Sequence, residues 1–484
     1  VGAGSTAVVE PGIALIRDLL AQFITTFDVG VILYLIALNT CYLVFLATAF
    51  IMLARHRRRW TPREVSGVMQ SPATPPISIV LPAFNEERTV VPSVRSLLAL
   101  NYPAFEVVVV NDGSADGTLA ALQEAYGLVE APMTHAQAVR TQPVRAVYRS
   151  PTGGEIVVLD KCNGGKADAV NAGLNAARHP LVCVIDADSL LDNDALIRAV
   201  LPCIEDPRTV AVGGTVRVAN GCLVEGGRVT EVRLPKNWLA RFQAVEYLRA
   251  FLMGRIAHSA ANSLLIISGC FGLFRRDVLI EVGGFAADSI GEDMEVVTRL
   301  HRHCREQRRP YRIVFLADPV CWTEVPESTR TLAAQRNRWH RGTLEVLQRH
   351  RIMAGNPRYG RVGMISAPYY AVFEAFGPVV EGVGYVVTIA GACFGLIDWR
   401  IAELMFLTAV VYGVLISVGA VLLEDMFFSR YSRLSDLLRL LLYGVLENFG
   451  YRQLTTWWRV LGWFDYLRNN REWVSAPRKG FARA

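Results

Sequence analysis

Two aspartates close a short apolar run, Leu181-Val182-Cys183-Val184-Ile185 leading into Asp186-Ala187-Asp188. A run rich in Val and Ile reads as a strand buried on both faces, so the carboxylates fall where that strand ends in a loop. Unpaired carboxylates are costly to bury and call for water or a cation. Hard oxygen ligands in this position suit Mg²⁺ or Mn²⁺, which use one or two carboxylates plus the phosphates of a substrate. An isolated Asp-x-Asp is equally a solvated turn. Its meaning depends on the residues that accompany it.

Four further groups have chemical potential. Asn111-Asp112-Gly113-Ser114 follows an apolar run, and alone it is also what an Asx turn looks like. Gly164-Gly165-Lys166 precedes a helical stretch. Consecutive Gly amides, a helix N-terminus and a Lys make a site for a diphosphate, although the spacing is not that of a Walker A loop. Gly291-Glu292-Asp293 opens another helix, where acids complement the helix dipole or, in the chemical reading, Asp293 is a general base toward an acceptor hydroxyl. Gln335-Arg336-Asn337-Arg338-Trp339 is open to two readings. Arg338 and Trp339 form an interfacial pair beside a membrane, or Arg338 offsets diphosphate charge and Trp339 offers a flat face to a sugar ring. Gln335, one turn earlier, shares their face.

The elements that position these groups alternate. Strands are expected over 77–81, 105–110, 144–148, 181–184 and 210–218, with helices over about 88–100, 116–126, 166–177, 238–255 and 292–303. The first strand is expected to stop at Pro82-Ala83-Phe84-Asn85-Glu86-Glu87, with turns at 152–154 and at Gly226-Gly227. Ser268-Gly269-Cys270-Phe271-Gly272 is punctuated by Gly, which allows close backbone approach to a ligand. Such alternation indicates a mostly parallel α/β sheet, with ligands outside the carboxyl ends of the strands. Asn85, Asp112 and Asp188 would gather there.

The 484 residues are 52% hydrophobic and 19% charged, with a formal net charge of +6 and a mean hydropathy of +0.28. The basic residues sit beside apolar stretches, which favours a membrane surface over nucleic acid, and no nucleic-acid-binding motif is present. Nine scattered cysteines, with no Cys-x-x-Cys, read as reduced core thiols. Residues 1–28 suggest an amphipathic interfacial helix and 29–53 an uncharged span, since about 20 apolar residues cross a bilayer. The cluster Arg55-His56-Arg57-Arg58-Arg59 should stay cytoplasmic. A Pro-containing linker over 61–76 leads to a soluble domain at 77–345. After it, 364–376 reads as interfacial, 379–397 and 401–423 as spans, and 434–464 as an apolar stretch carrying Arg439, Glu447, Arg452 and Arg459, possible as a further span at 434–455. The basic tail at 466–484 favours a cytosolic C-terminus, and the parity of spans stays open.

Together these residues resemble the family 2 glycosyltransferases, specifically the membrane-embedded processive kind that includes hyaluronan, chitin, cellulose and poly-N-acetylglucosamine synthases. Asp112, Asp186-Ala187-Asp188, Glu292-Asp293 and the Gln-x-x-Arg-Trp at 335–339 match the four family signatures in order. The resemblance implies a GT-A fold, a mostly parallel, Rossmann-like mixed sheet, joined to transmembrane and interfacial helices. It implies a UDP-sugar donor with Mg²⁺ or Mn²⁺, and a growing polysaccharide or a lipid as acceptor. Asp112 would hold the uracil, with Pro82, Phe84, Asn85 and Glu86 near the nucleoside. Lys166 would touch the diphosphate, Asp186 the ribose, and Asp188 the cation. Asp293, beside Glu292, would be the base. Gln335, Arg338 and Trp339 would bind diphosphate and the acceptor end, where Gly269 and Cys270 also belong. The resemblance further places the protein in a bacterial inner membrane with its catalytic domain cytosolic, contacting lipids and leaving room for accessory subunits.

Two departures from the family pattern stand out. Gly291 replaces the Thr, Ser or Gln common before the acidic pair, and only one N-terminal span is evident, against two in some hyaluronan synthases. A cyclic-di-GMP-sensing module like that of bacterial cellulose synthase is not expected. Rival readings are single-sugar transfer to a lipid phosphate and an inactive membrane scaffold keeping the fold.

Overall fold

In the computed structural model, residues 6–56, 62–132, 137–151, 154–431 and 433–470 are described. Arg57, Arg58 and Arg59 of the expected basic cluster, Thr152 and Gly153 of the expected turn, and the tail beyond 470 lie outside them. The strands are β1 (Ile77–Ala83), β2 (Phe105–Asn111), β3 (Val129–Ala131), β4 (Val144–Arg149), β5 (Ile156–Lys161), β6 (Leu181–Val184), β7 (Ser189–Leu191), β8 (Thr209–Val218), β9 (Leu223–Glu225), β10 (Arg228–Glu231), β11 (Gly272–Arg275) and β12 (Arg312–Thr323). Ten of them form one sheet in the order β3-β4-β5-β2-β1-β6-β11-β8-β12-β7, while β9 and β10 pair as a separate hairpin.

The central four strands, β5-β2-β1-β6, are parallel throughout. Their registers, Ala83 beside Asn111 and Asn111 beside Asp160, bring the carboxyl ends to one edge. Every residue of β2 and β5 is buried, as expected for strands covered on both faces. The one acid in the middle of β2, Glu106, is satisfied by Ser78 Oγ at 2.6 Å and Arg178 Nε at 2.8 Å. Outside this block the sheet turns antiparallel at β3-β4-β5, β6-β11-β8 and β12-β7, with β8 and β12 parallel. The sheet is therefore mixed, as expected, parallel at its centre and at β8-β12 and antiparallel elsewhere.

β5 and β12 are absent from the sequence reading. β12 contains Asp318-Pro319, and Pro within a run normally argues against a strand. Here register shifts flank Pro319, so the ladder bulges around it. β1 does not stop at Pro82, because Pro82 pairs in register with Val110.

Among the described residues, three helices are long and apolar enough to cross a membrane: Leu15–Arg55, Val362–Cys393 and Trp399–Phe427. Two expected divisions are corrected. The first helix runs unbroken over Thr6–His56, with no boundary between an interfacial piece and a span, and the expected interfacial stretch 364–376 continues into the next span. The expected linker contains a helix, Pro62–Gln70. The segment 434–464 is two helices, Leu434–Leu446 and Tyr451–Leu467, separated at Gly450, whose φ is 99°. The second packs on the helix Thr329–Arg349 through Asn337 Nδ2 to Asp465 Oδ2 at 2.7 Å. Its charges have partners, Arg459 meeting Glu374 at 2.9 Å. That explains how a charged stretch is tolerated beside apolar helices.

Candidate active site

The loops after β1 and β2 clamp one another at the carboxyl edge. Asn85, at a φ of 55°, accepts the Ala115 amide on its side chain at 2.8 Å, and its own amide donates to Ser114 Oγ at 2.9 Å. The Glu86 amide donates to Thr118 Oγ1 at 2.9 Å. Phe84 stays 51% exposed at the rim, a free face on which a base could stack. Gly113 has a φ of 68°, and a Cβ there would lie 2.7 Å from the Asn163 amide nitrogen. Only glycine lets the loop after β2 approach the loop after β5 so closely.

Asp112 is buried, and its carboxylate is heavily engaged. Oδ1 accepts from Lys161 Nζ at 2.5 Å and from the Gly164 amide at 3.0 Å, while Oδ2 accepts from the Gly165 amide at 2.8 Å. A carboxylate oxygen takes two hydrogen bonds, so Oδ2 keeps capacity for one further donor. Lys161 is fully buried and also pairs with Asp168 at 2.6 Å. The sequence reading passed over Lys161, and a Lys closing an apolar strand beside an acid was the available signal.

Lys166 opens the helix Lys166–Ala176. Its Nζ meets Asp186 Oδ1 at 2.6 Å and Glu292 Oε1 at 3.3 Å, which joins three separate stretches of chain. Burial works against its charge, but Asp186, Glu292 and Asp293 outweigh it and hold the pKa above the ordinary lysine value. The backbone of Gly269 lies against this cluster, since a Cβ there would sit 2.7 Å from Lys166 Nζ. The Gly269 amide donates to Asp293 Oδ2 at 3.3 Å, and the Met294 amide to Oδ1 at 2.8 Å. Burial, and then the neighbouring Glu292 charge, push the Asp293 pKa up to about 6, with Lys166 opposing. A carboxylate poised there is ionised at neutral pH yet basic enough to take a proton.

The Gln335–Trp339 motif lies on the helix Thr329–Arg349, which is capped by Ser328. Trp339 is 43% exposed. Arg336, not singled out from sequence, organises this group. Its guanidinium stands 4.4 Å from the Trp339 ring centre and donates to Glu246 Oε2 at 2.7 Å and to Gln335 Oε1 at 3.0 Å. Tyr451 Oη donates to the same Glu246 oxygen at 2.8 Å. The indole is thereby held from behind, and its outer face stays open.

A single cavity of about 3290 Å³ is lined by every residue singled out from sequence, from Phe84 and Asp112 through Asp188 and Asp293 to Arg338 and Trp339. It continues to Tyr42, Tyr369 and Trp458 on the apolar helices. A model of the family described as glycosyltransferase like family 2 matches residues 75–342. The chain belongs to that family. The mixed sheet is its GT-A-like α/β fold, and the family stretch carries all the site residues above.

Among curated relatives, the poly-beta-1,6-N-acetyl-D-glucosamine synthase of Staphylococcus aureus (strain COL) is 30% identical over 276 residues, 56% of this chain and 56% of that protein. The same-named protein of Staphylococcus epidermidis is 30% identical over 274 residues, with the same shares. The chain thus spans about half the length of the curated relatives it matches. Among solved structures, a mannosyltransferase from Pyrobaculum calidifontis, in complex with GDP-Man and Mn²⁺, gives a TM-score of 0.49 at 19% identity, covering 87% of this chain and 99% of that one.

The donor set at the strand edge fits a divalent cation completed by substrate. Among the described residues no cluster of three His, Cys, Asp or Glu side chains is placed to hold a metal alone. Asp188, with Asp186 two residues away, offers the one or two carboxylates that Mg²⁺ or Mn²⁺ takes alongside phosphate oxygens. Burial, then Asp186 and Asp188, push the Cys270 thiol up to about 12.

Proposed function

We propose that this protein is a membrane-bound inverting glycosyltransferase that polymerises a UDP-sugar into a β-linked polysaccharide. The observation that carries the reading is the Lys166–Asp186–Glu292 cluster, with Asp293 and Gly269 against it, in the same cavity as Trp339. The 30% identity to proteins named poly-beta-1,6-N-acetyl-D-glucosamine synthase makes UDP-N-acetylglucosamine the proposed donor and a β-1,6 linkage the proposed product.

Phe84 and Asp112 hold the base, the remaining capacity of Asp112 Oδ2 being suited to the uracil N–H. Asp186 lies by the ribose, and Lys166 and Arg338 offset the diphosphate charge. Asp188 would hold Mg²⁺ or Mn²⁺, which when bound supplies charge stabilisation to the leaving diphosphate. Glu292 keeps Lys166 in place and raises the basicity of Asp293. Asp293 removes the proton of an acceptor hydroxyl, whose oxygen bonds the anomeric carbon while the carbon–oxygen bond to UDP breaks and UDP leaves with the electron pair. With one carboxylate on the acceptor side, attack opposite the leaving group inverts an α-linked donor to a β-linkage. Trp339 presents its open face to the acceptor ring.

The apolar helices are read as a bacterial inner-membrane anchor with the catalytic domain cytosolic, and the cavity's reach toward Tyr42 and Trp458 supports export of the product through the same region. Purified protein in lipid nanodiscs, given a panel of UDP-sugars, should release UDP and yield polymer with UDP-N-acetylglucosamine. A product of one added sugar would indicate transfer to a lipid acceptor instead. In reconstituted vesicles, exported polymer is protected from added glycosidase. Polymer found only on the donor side would refute export.

A further inference from the structure

Arg255 closes Arg249–Arg255, a stretch where the helix widens to π-type turns. Such turns are uncommon and recur at functional sites. Its guanidinium carbon stands 4.0 Å from the Phe251 ring centre and 5.8 Å from that of Phe315, so two rings fix the plane of the fork. Among the described residues its buried Nη1 has no hydrogen-bond partner. Other arginines of this region do have carboxylates: Arg217 meets Glu424, Arg249 meets Glu447, and Arg336 meets Glu246. A buried charged donor left unmade is costly, and a protein keeps one where a ligand will complete it.

The surroundings indicate which ligand. Arg255 lines the catalytic cavity together with Cys270, Asp293 and Tyr370. It is close enough to Asp293 for each charge to act on the other. Tyr369, Tyr370 and His258 also line the cavity, their rings in mutual contact at 5.3 to 5.7 Å. This is the chemistry that recognises a neutral saccharide, with flat apolar faces and a few fixed donors.

We propose that Arg255 binds the acceptor: its buried Nη1 donates to an oxygen of the terminal sugar, a ring oxygen or an acetamido carbonyl, and so holds the attacking hydroxyl against Asp293. The assignment rests on the glycosyltransferase reading above. It gives the acceptor a two-sided seat, with Trp339 on its ring face and Arg255 on its edge.

The test uses the full chain in nanodiscs, with UDP-N-acetylglucosamine as donor and a soluble β-linked N-acetylglucosamine oligomer as acceptor. Arg255→Met should raise the acceptor KM by about tenfold or more, the loss expected for one hydrogen bond from a charged group. Donor KM should move by less than about threefold, since Lys166 and Asp112 remain. Arg255→Lys keeps the charge without the fork, and should raise the acceptor KM by an intermediate factor. Arg255→Lys, which keeps the charge beside Asp293, should keep the acidic limb of the pH profile, and Arg255→Met should move it to higher pH together with the acceptor KM, whereas a residue acting only through the Asp293 charge would move the limb alone. Unchanged acceptor KM in both variants, or a shifted acidic limb with acceptor KM unchanged, overturns the assignment. A wild type that transfers nothing from any UDP-sugar overturns the parent reading and this one together. Normal wild-type transfer beside an unaffected Arg255→Met overturns this one alone.

Discussion

The two halves of the cavity are held by different kinds of buried charge. On the donor side Lys161 pairs with Asp112 and Asp168, all within a few tens of residues of one another and all on strand ends or the helix that follows. Toward the apolar helices Arg217 of β8 pairs with Glu424 of the helix Trp399–Phe427, both 2% exposed and far apart in the chain. Arg249 with Glu447 and Ser417, and Arg336 with Glu246 and Tyr451, repeat that long-range pattern. The donor half is therefore a product of local strand-loop-helix order, and the acceptor half exists only once the apolar helices have docked. On the proposed reading, the part that binds nucleotide is built from local strand-loop-helix units, while the part that seats the acceptor draws on the apolar helices.

Breaking one pair on each side separates the halves. Lys161→Met strands two carboxylates in the core and should cost about 3–5 kcal/mol of stability, the usual cost of removing one partner from a buried pair. UDP affinity should fall with it, read by denaturant melts and UDP titration. Glu424→Gln should cost a similar or somewhat smaller amount, also within about 3–5 kcal/mol, but leave UDP affinity near wild type while transfer drops. Equal loss of UDP affinity in both variants would erase the distinction between the halves. The acidic limb sharpens the picture further. With Asp293 raised to about 6, the ionised base is lost as pH falls below that value, so kcat should drop toward tenfold per pH unit there. Lys166, held above its ordinary value, stays charged throughout. The smallest effect is expected at the seam. Gly269→Ala puts a methyl 2.7 Å from Lys166 Nζ and should slow transfer by about tenfold through displacement of that ammonium, with melting little changed.

This contrast also accounts for what was legible in the sequence. Asp112, Asp188, Lys166 and Asp293 could be found because each closes or opens a regular element with an apolar run beside it, and strand-end geometry then gathers them. Lys161 was hidden inside β5, where an apolar run ends in charges that look like a surface loop until Asp112 and Asp168 are seen against it. Arg336 sat within the motif but between the residues expected to act, and its role depends on Glu246, 90 residues away. Arg255 carries little local signal, because only Phe251 shares its element, while Phe315, Tyr370 and Asp293 come from others. The antiparallel flanks were missed for a related reason: β12 breaks its own pattern at Pro319, and only pairing with β8 and β7 rescues it. The long apolar helices were found by composition, while the fusion of interfacial pieces into continuous helices depends on packing that composition does not encode.

The central claim is that acids and bases distant in the chain meet in one cavity where Asp293 takes the acceptor's proton. Sugar incorporation from UDP-N-acetylglucosamine by wild type and Asp293→Asn, with UDP binding measured on the same preparations, tests it most directly. The account predicts polymer from wild type, a fall of roughly 10²–10⁴-fold in the variant, and UDP affinity within about twofold between them. Undiminished incorporation by Asp293→Asn would contradict it.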